Sequence, residues 1–196
     1  MPKVVDHEQR RHELATALWR VVMRDGFRAV TVRSVAAESG WSSGALRHYF
    51  PGRNDLLVFA IDHAVDDARA RMQKRGAVAT DLDAIRAFLE ELLPLDRRRR
   101  AESDVWFALA SQAHDDPGLR ARRREVDALI RDAVRSAVLQ LAELGLLAEH
   151  RDPENETVRL HALIDGLVVH ALTRRASLPA ARMSAVLRVH LTDLTR

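Results

Sequence analysis

The stretch that decides the fold is Thr31-Val-Arg-Ser-Val-Ala-Ala-Glu-Ser-Gly-Trp-Ser-Ser-Gly-Ala-Leu-Arg-His-Tyr-Phe50. Two short helices that cross steeply need a small side chain where they touch and a glycine in the tight turn between them. Ala36 and Gly40, four residues apart, meet both needs. The apolar positions that can close a small core between the helices are Val32, Val35, Leu46 and Phe50. The stretch therefore predicts a helix-turn-helix, whose second helix can enter the major groove of DNA.

Helical patterns also fill the rest of the chain. Thr31 can cap the first short helix, and Ser42 or Ser43 can cap the second. The other predicted helices cover about 8–24, 53–75, 81–93, 97–114, 117–147, 154–175 and 179–195, with residues 76–80 as a link. Since no alternating strand pattern is present, we expect an all-α fold of about nine helices. Residues 1–52 would form a three-helix DNA-binding domain, and residues 53–196 a larger helical domain for ligand binding and dimerisation.

Charge and composition narrow the possible functions. The first 56 residues carry nine Lys/Arg and six Asp/Glu, whereas the remaining 140 carry 22 of each. The window between Glu38 and Asp55 has no acidic residue but contains Arg47 and Arg53, as proximity to phosphates requires. The absence of cysteine excludes disulfides, thiolate zinc sites and cysteine nucleophiles. The charged start at Met1–Glu13 argues against a signal peptide, and no apolar run predicts a membrane span, so we expect a cytoplasmic protein.

Residues from about 10 to 58 resemble the TetR family of bacterial repressors. The resemblance rests on the Gly26-Phe27 break, the Thr31…Val35-Ala36…Gly40 frame, Leu46-Arg47-His48-Tyr49-Phe50 and Asn54-Asp55-Leu56-Leu57. Two positions depart from the family pattern: Trp41 replaces a small aliphatic residue, and Arg53 stands where lysine is commoner. The resemblance implies a dimeric regulator, usually a repressor, that a small-molecule effector releases from a palindromic operator. The alternative is a helical interaction protein whose DNA binding is non-specific.

The resemblance also implies roles on double-stranded DNA. Phosphate contacts, which position a protein without reading sequence, are expected from Thr31, His48, Tyr49 and Arg53. The residues expected near base edges are Arg33, Ser43, Gly44, Ala45 and Arg47, and Ser42 belongs to the same DNA-facing set. Arg47 is the expected reader of guanine, because a guanidinium can bond guanine O6 and N7 together. The alternative is that Tyr49 is a core residue and Arg47 a solvated one.

In the larger domain, two apolar stripes predict how two copies associate. We expect the homodimer interface to contain Leu160, Leu163, Ile164, Leu167, Val168, Ala171, Met183, Val186, Leu187, His190, Leu191 and Leu194. In proteins that look like this one, the two terminal helices pair with those of a second subunit, although such helices could instead cover the core. A two-fold dimer would suit a palindromic operator.

An effector pocket is expected among helices four to eight. Its candidate lining residues are Phe59, Phe88, Leu92, Trp106, Leu109 and Gln112, with ordinary core packing as the alternative. The segments Ala101–Pro117 and Ala162–Leu167 look similar to the choline-responsive repressors of betaine synthesis. A quaternary ammonium cage needs several aromatic faces. Because the larger domain has no tyrosine and few aromatic residues, we do not extend this resemblance to choline as the effector of this chain.

Three further sequence patterns are typical of functions other than transcription regulation. Gly40-Trp41-Ser42-Ser43-Gly44 matches the G-x-S-x-G elbow of hydrolases, but that elbow needs a strand before it. The His63…Asp66-Asp67 and His114-Asp115-Asp116 groups could bind a metal, although solvated polar residues are the commoner explanation. The arginine runs 97–100 and 122–124 have acidic residues four positions away, which predicts salt bridges rather than a second nucleic-acid surface. We therefore expect no catalytic residue, metal or cofactor.

Overall fold

The computed structural model describes residues 7–75, 79–173 and 178–196, and within those ranges it is helical without strands. Nine α-helices are found there: α1 His7–Asp25, α2 Val32–Ser39, α3 Ser43–Tyr49, α4 Arg53–Lys74, α5 Leu82–Leu89, α6 Arg97–Gln112, α7 Pro117–Glu143, α8 Pro153–Thr173 and α9 Ala180–Leu194. Two 3-10 turns cover Phe27–Ala29 and Glu90–Leu92. The all-α prediction of about nine helices is confirmed. None of these helices is long and apolar enough to cross a membrane.

Three predicted features lie partly outside the described residues. These are the start of the charged segment 1–13, the link at 76–80 and the end of the helix predicted at 154–175.

Two helices end earlier than predicted, for local reasons. Helix α5 gives way to a 3-10 turn, and Leu93 is extended (φ −102°, ψ 144°) because a residue before proline avoids the helical region. Helix α7 ends at Glu143 rather than near residue 147, because Gly145 adopts a left-handed conformation with φ 67°. The Leu146 N–H then donates to the Leu141 carbonyl (2.8 Å), and the Gly145 N–H donates to the Ala142 carbonyl (3.0 Å). Together these two hydrogen bonds form a Schellman motif, which ends a helix.

Two hydrophobic clusters form the core. The first contains residues of α1 to α4 together with Ala101, Val105 and Leu109 of α6 and Val126 of α7. The second joins α5, α7, α8 and α9. Trp106 of α6 packs against both clusters. The domain boundary predicted after residue 52 stays a prediction, but core packing continues across it because α4 shares the first cluster with α1 and α6.

Candidate functional site

Helix α3 presents the candidate DNA-binding surface. The Ser42 hydroxyl accepts the Ala45 N–H at 3.1 Å and so starts the helix, while Leu46 is fully buried beneath it. Nine of the ten predicted DNA-contacting residues are exposed, namely Thr31, Arg33, Ser42, Ser43, Gly44, Ala45, Arg47, His48 and Arg53. The tenth, Tyr49, is half-buried. The sequence pattern thus located an exposed surface on a helix that its own core holds in place.

Two of the predicted contact residues also cap helices. The Thr31 hydroxyl accepts the Ser34 N–H at 3.0 Å, and the Ser34 hydroxyl accepts the Thr31 N–H at 2.9 Å, which completes a capping box at α2. Ser42 caps α3 in the same way. A hydroxyl has one proton and two lone pairs, so a capping hydroxyl can still donate to a phosphate oxygen.

Trp41, the departure from the family pattern, packs against Tyr49. Their ring centroids lie 5.6 Å apart at 77°, an edge-to-face arrangement, and the Arg10 guanidinium carbon lies 5.5 Å from the centroid of the Trp41 ring. The His48 ring meets Tyr49 edge-on at 6.0 Å. Trp41 therefore connects the start of α1 to the end of α3, a contact that the sequence alone did not predict.

The Arg53 side chain is directed towards the neighbouring 3-10 turn. Its Nη2 donates to the Arg28 carbonyl at 3.3 Å, and its guanidinium carbon lies 5.8 Å from the centroid of the Phe27 ring. A phosphate contact by Arg53 requires the side chain to share or leave this bond.

The hydrolase and metal alternatives find no support in the geometry. Ser42 lies between α2 and α3 as a helix cap, and the described part of the chain contains no strand that could form a nucleophile elbow. In the same part of the chain, no three His, Cys, Asp or Glu side chains come together as a metal site. Two of the predicted salt bridges within the arginine runs are present, Arg98–Glu102 at 3.3 Å and Arg123–Asp127 at 3.3 Å.

A largely apolar cavity of about 110 Å³ lies among α4, the second 3-10 turn, α6, α7 and α8. Its lining residues are Ile61, Ala64, Val65, Ala68, Glu91, Leu92, Leu93, Arg99, Glu102, Ser103, Trp106, Val126, Ile130, Ile164, Asp165 and Val168. Leu92 and Trp106 were among the predicted pocket residues. The acidic members were missed, because in the sequence they have the pattern of solvated surface residues.

The other four predicted pocket residues lie away from this cavity. The Phe59 ring packs against Phe50 in a tilted arrangement (centroids 4.9 Å apart, 52° between the ring planes) and lines a surface depression between α1 and α4. Phe88 borders a small recess against α7, Leu109 is fully buried in the first core cluster, and Gln112 lines a cleft beside the first 3-10 turn. These four residues do not line this cavity, because each helix turns them towards a different neighbour, and their role in an effector pocket stays a prediction.

A network of buried charges forms one end of the cavity. Arg71 of α4 donates to Glu91 at 2.9 Å and to both oxygens of Glu102 at 2.8 and 2.6 Å. Arg75 reaches Glu91 at 2.6 Å, and Arg98 reaches Glu102 at 3.3 Å. Burial disfavours the Glu91 carboxylate, but hydrogen bonds from Arg75 and Arg71 outweigh burial and lower its pKa. Burial raises the pKa of Glu102, and the bond from Arg71 offsets this only in part.

Asp165 of α8 lies at the edge of the cavity with a different environment. Its carboxylate is 3.7 Å from the His161 ring, and its side chain is 44% exposed. Burial raises the pKa of Asp165; His161 and Arg123 act against this rise, whereas Asp127 adds to it. No guanidinium lies within ion-pairing distance of Asp165 among the described side chains, in contrast to Glu91 and Glu102.

Polar contacts join the helix-turn-helix region to the larger domain. Asn54 at the start of α4 donates to Asp116 at 2.8 Å, and Asp116 also caps α7 by accepting the Leu119 N–H at 2.9 Å. Hydrogen bonding from the Leu119 backbone, with Asn54 adding to it, lowers the pKa of Asp116. At the start of α6, the Arg97 side chain donates to the Met23 carbonyl of α1 at 2.9 Å.

The predicted dimer residues require a correction. Nine of the twelve are buried inside this chain's own core: Leu160, Ile164, Leu167, Val168, Ala171, Met183, Leu187, Leu191 and Leu194. They pack α8 and α9 against α5 and α7, so their side chains are taken up almost entirely by this chain's own core. Leu163, Val186 and His190 are half-buried. The stripe identified in the sequence is the inward one, and the outward faces of the same helices carry the exposed apolar residues Val158 (66% exposed) and Val189 (53%).

Comparisons with known proteins agree with this architecture. Residues 14–58 match the profile described as bacterial regulatory proteins, tetR family, and residues 81–196 match the C-terminal profile of BetI-type transcriptional repressors. The transcriptional regulator PksA of Bacillus subtilis (strain 168) is 32% identical over 200 residues, which cover 99% of this chain and 94% of PksA. The regulator BetI of Rhizobium meliloti (strain 1021) is 30% identical, with 98% of this chain and 90% of BetI covered.

Solved structures show the same fold. A transcriptional regulator from Rhodococcus sp. Rha1 superposes with a TM-score of 0.78 at 28% identity, covering 94% of this chain and 95% of that one. A regulator from Saccharomonospora viridis, solved in complex with choline, gives a TM-score of 0.80 at 24% identity and 95% coverage of each chain. This chain therefore belongs to the TetR family of DNA-binding transcriptional regulators, with a BetI-type C-terminal domain.

Proposed function

We propose that this regulator binds a palindromic operator as a homodimer, reads base edges with the start of α3, and is released when a small molecule enters the cavity beside Trp106. The observation that carries the proposal is the position of α4. This helix begins next to the DNA-facing surface, shares the core of the helix-turn-helix, and lines the cavity with Ile61, Ala64 and Val65. A ligand that displaces α4 must therefore act on the orientation of α3.

Readout of sequence is assigned to the exposed start of α3. Gly44 has no side chain, and a Cβ built there would have Ser42 Oγ 4.0 Å away as its nearest neighbour, so the backbone lies bare at the surface. Bare backbone and the exposed Arg47 let base edges approach closely. Truncation of a bidentate arginine costs about 1–3 kcal/mol of discrimination against the wrong base.

The homodimer is assigned to the outward faces of α8 and α9. On α8 this face contains Val158, Ala162, Gly166 and Val169, and on α9 it contains Ala185 and Val189. A Cβ added to Gly166 would meet no atom of the described residues within 4 Å, so a second backbone can approach here. Exposed valines and a bare glycine on neighbouring helices suit the closely packed two-fold contact of a dimer.

Release is assigned to a difference in effector affinity between two orientations of α4. An effector that binds both orientations equally shifts nothing, so the cavity must fit the released state better than the DNA-bound state. The Arg71 contacts to Glu91 and Glu102 connect α4 to the second 3-10 turn and to α6, and these contacts are the ones that a shift of α4 would change.

Selection from a random DNA pool tests sequence reading directly. The purified protein, the Arg47→Ala variant and an Arg69→Ala control are compared across a range of salt concentrations. Arg69 is exposed on α4 and lies about 24 Å along the helix from Arg53, so its removal takes away the same charge at a distance from α3.

We expect a palindrome from the wild type and the control, and a degenerate position in the Arg47→Ala selection. Uniform binding that disappears with salt for all three proteins would overturn the proposal and favour non-specific DNA binding.

A further inference from the structure

We infer that the effector is a small protonated amine with N–H donors and a hydrogen-bond acceptor, rather than a quaternary ammonium ion or a neutral compound. The inference rests on the proposed function, because it names the chemical class that the cavity beside Trp106 would take. It follows from polar groups on two residues that line the cavity: a carboxylate with no guanidinium partner and an indole N–H with no hydrogen-bond partner among the described residues.

The first group is the Asp165 carboxylate. The other two acids of the wall, Glu91 and Glu102, are each held by at least two guanidinium groups at 3.3 Å or less. Asp165 instead contacts His161 at 3.7 Å, with Arg123 and Asp127 acting on it from α7. An entering cation can therefore pair with Asp165 without displacing an arginine, and pairing would reverse the cost of keeping this carboxylate ionised at the edge of an apolar cavity.

The second group is the Trp106 indole N–H. This nitrogen is buried and has no hydrogen-bond partner in the part of the chain that the structure describes. Buried donors in native proteins are almost always paired, and an unpaired one costs free energy. An ether, hydroxyl or carbonyl oxygen on the effector would supply the missing acceptor.

The same wall argues against a quaternary ammonium ion. Such an ion has no N–H and depends on several aromatic faces around it. Among the described lining residues, Trp106 is the aromatic one, and the others are aliphatic or acidic apart from Ser103 and Arg99, whose guanidinium is paired with Asp96 at 2.8 Å and lies 3.6 Å from Glu91. A carboxylate with free acceptor sites recognises a protonated primary, secondary or tertiary amine more strongly, because the ion pair then includes a hydrogen bond. The apolar residues Ile61, Val65, Ile130 and Val168 accommodate alkyl groups on the nitrogen.

Three probes of nearly equal shape separate these possibilities. 2-(Dimethylamino)ethanol is a protonated amine with one N–H, choline replaces that proton with a methyl group, and 3,3-dimethyl-1-butanol is a neutral carbon analogue. Binding of each probe to the full-length protein is measured by calorimetry. We expect the amine to bind at least about tenfold more tightly than either analogue, the effect of one charge-assisted hydrogen bond.

Two variants assign the preference to the named groups. Asp165→Asn should remove the preference for the amine, whereas Asp132→Asn, the same chemical change at an exposed aspartate of α7 outside the cavity, should keep it. Trp106→Phe keeps an aromatic face but removes the donor, so it should weaken the amino alcohol several-fold and leave dimethylpropylamine unaffected. Trp19→Phe is its control, because Trp19 also has a buried, unpartnered N–H but lies outside the cavity.

Equal or tighter binding of choline or of the neutral alcohol would overturn the inference, as would an unchanged preference in Asp165→Asn. Failure of the amine to bind at millimolar concentration would overturn it too. Operator titrations of the same protein without probe keep the two proposals apart. A protein that binds its operator but ignores the amine refutes only the effector class, whereas one that binds no DNA sequence selectively refutes the proposed function.

Discussion

Replacing Arg71 with methionine removes three hydrogen bonds from two carboxylates that are almost fully buried. Glu91 and Glu102 have side chains only 5% and 11% exposed, and Arg71 is the residue that bonds both. Methionine keeps most of the volume but no donor. Removing one partner of a buried ion pair costs about 3–5 kcal/mol. Because Arg75 and Arg98 remain in contact, we expect the lower end, about 3 kcal/mol.

The stability lost in Arg71→Met should depend on pH in a definite direction. Burial raises the pKa of Glu102 in the folded state, so its charge destabilises the fold above that pKa and protonation relieves the cost as the pH falls through it. Without Arg71 the pKa of Glu102 rises further. The stability deficit of Arg71→Met relative to the wild type should therefore be largest near neutral pH and shrink as the pH falls towards about 5.

The assay is urea unfolding followed by circular dichroism at one fixed protein concentration, since the proposed dimerisation would make the apparent stability depend on concentration. The control is Arg69→Met, which makes the same chemical change two residues away on the exposed side of α4. Surface changes of this kind usually alter stability by no more than about 0.5 kcal/mol. Equal stabilities for the two variants, or a deficit that grows at low pH, would refute the assignment of Arg71 as the residue that neutralises the buried pair.

Three further predictions concern the DNA-binding surface, its attachment and the dimer. Trp41→Val removes the ring that supports Tyr49, and operator affinity should fall about twofold to tenfold at constant salt, the worth of one aromatic pair; unchanged affinity would mean that Tyr49 needs no support. Asp116→Ala should destabilise the protein more than Asn54→Ala, since it removes the α7 cap as well as the bond to Asn54. The difference between the urea midpoints of the two variants should vanish as the pH falls through the lowered pKa of Asp116, because the contribution of its carboxylate is then lost. Val189→Lys should give monomers in sedimentation while Leu144→Lys, at the exposed end of α7, leaves the dimer intact; monomers from both variants or from neither would contradict the proposed α8–α9 interface.

The helix-turn-helix was predictable because its determinants are local. Thr31, Gly40 and Ser42 set the ends of two helices by caps and one left-handed glycine (φ 74° at Gly40), and all lie within a dozen residues. A hydroxyl before a helix and a glycine after it act through their immediate neighbours. The exposed surface of α3 follows from this frame without any knowledge of the larger domain.

The cavity and the proposed dimer face were less predictable, because they depend on contacts between residues that are far apart in the sequence. The sequence suggested the Arg98–Glu102 pair from its spacing of four, but Arg71 and Glu102 are 31 residues apart and no local rule joins them. Apolar residues on α8 occur both inward, as at Leu160, and outward, as at Val158. Periodicity identifies a stripe, yet it does not show whether that stripe meets the chain's own core or a second subunit.

Helix α4 links the helix-turn-helix to the cavity, although the residues of these two regions are far apart in the chain. Ile61 and Ala64 belong to the core that holds the helix-turn-helix and also line the cavity, so one packed surface serves both. Packed interiors have few voids and pass a displacement on rather than absorb it. Asp62 adds a polar contact from the same turn of α4, since it accepts Arg122 of α7 at 2.7 Å. An effector that separates α4 from α7 would therefore break the Asp62–Arg122 contact and move Ile61 at the same time. Because Ile61 packs in the core of the helix-turn-helix, the orientation of α3 would then change as well.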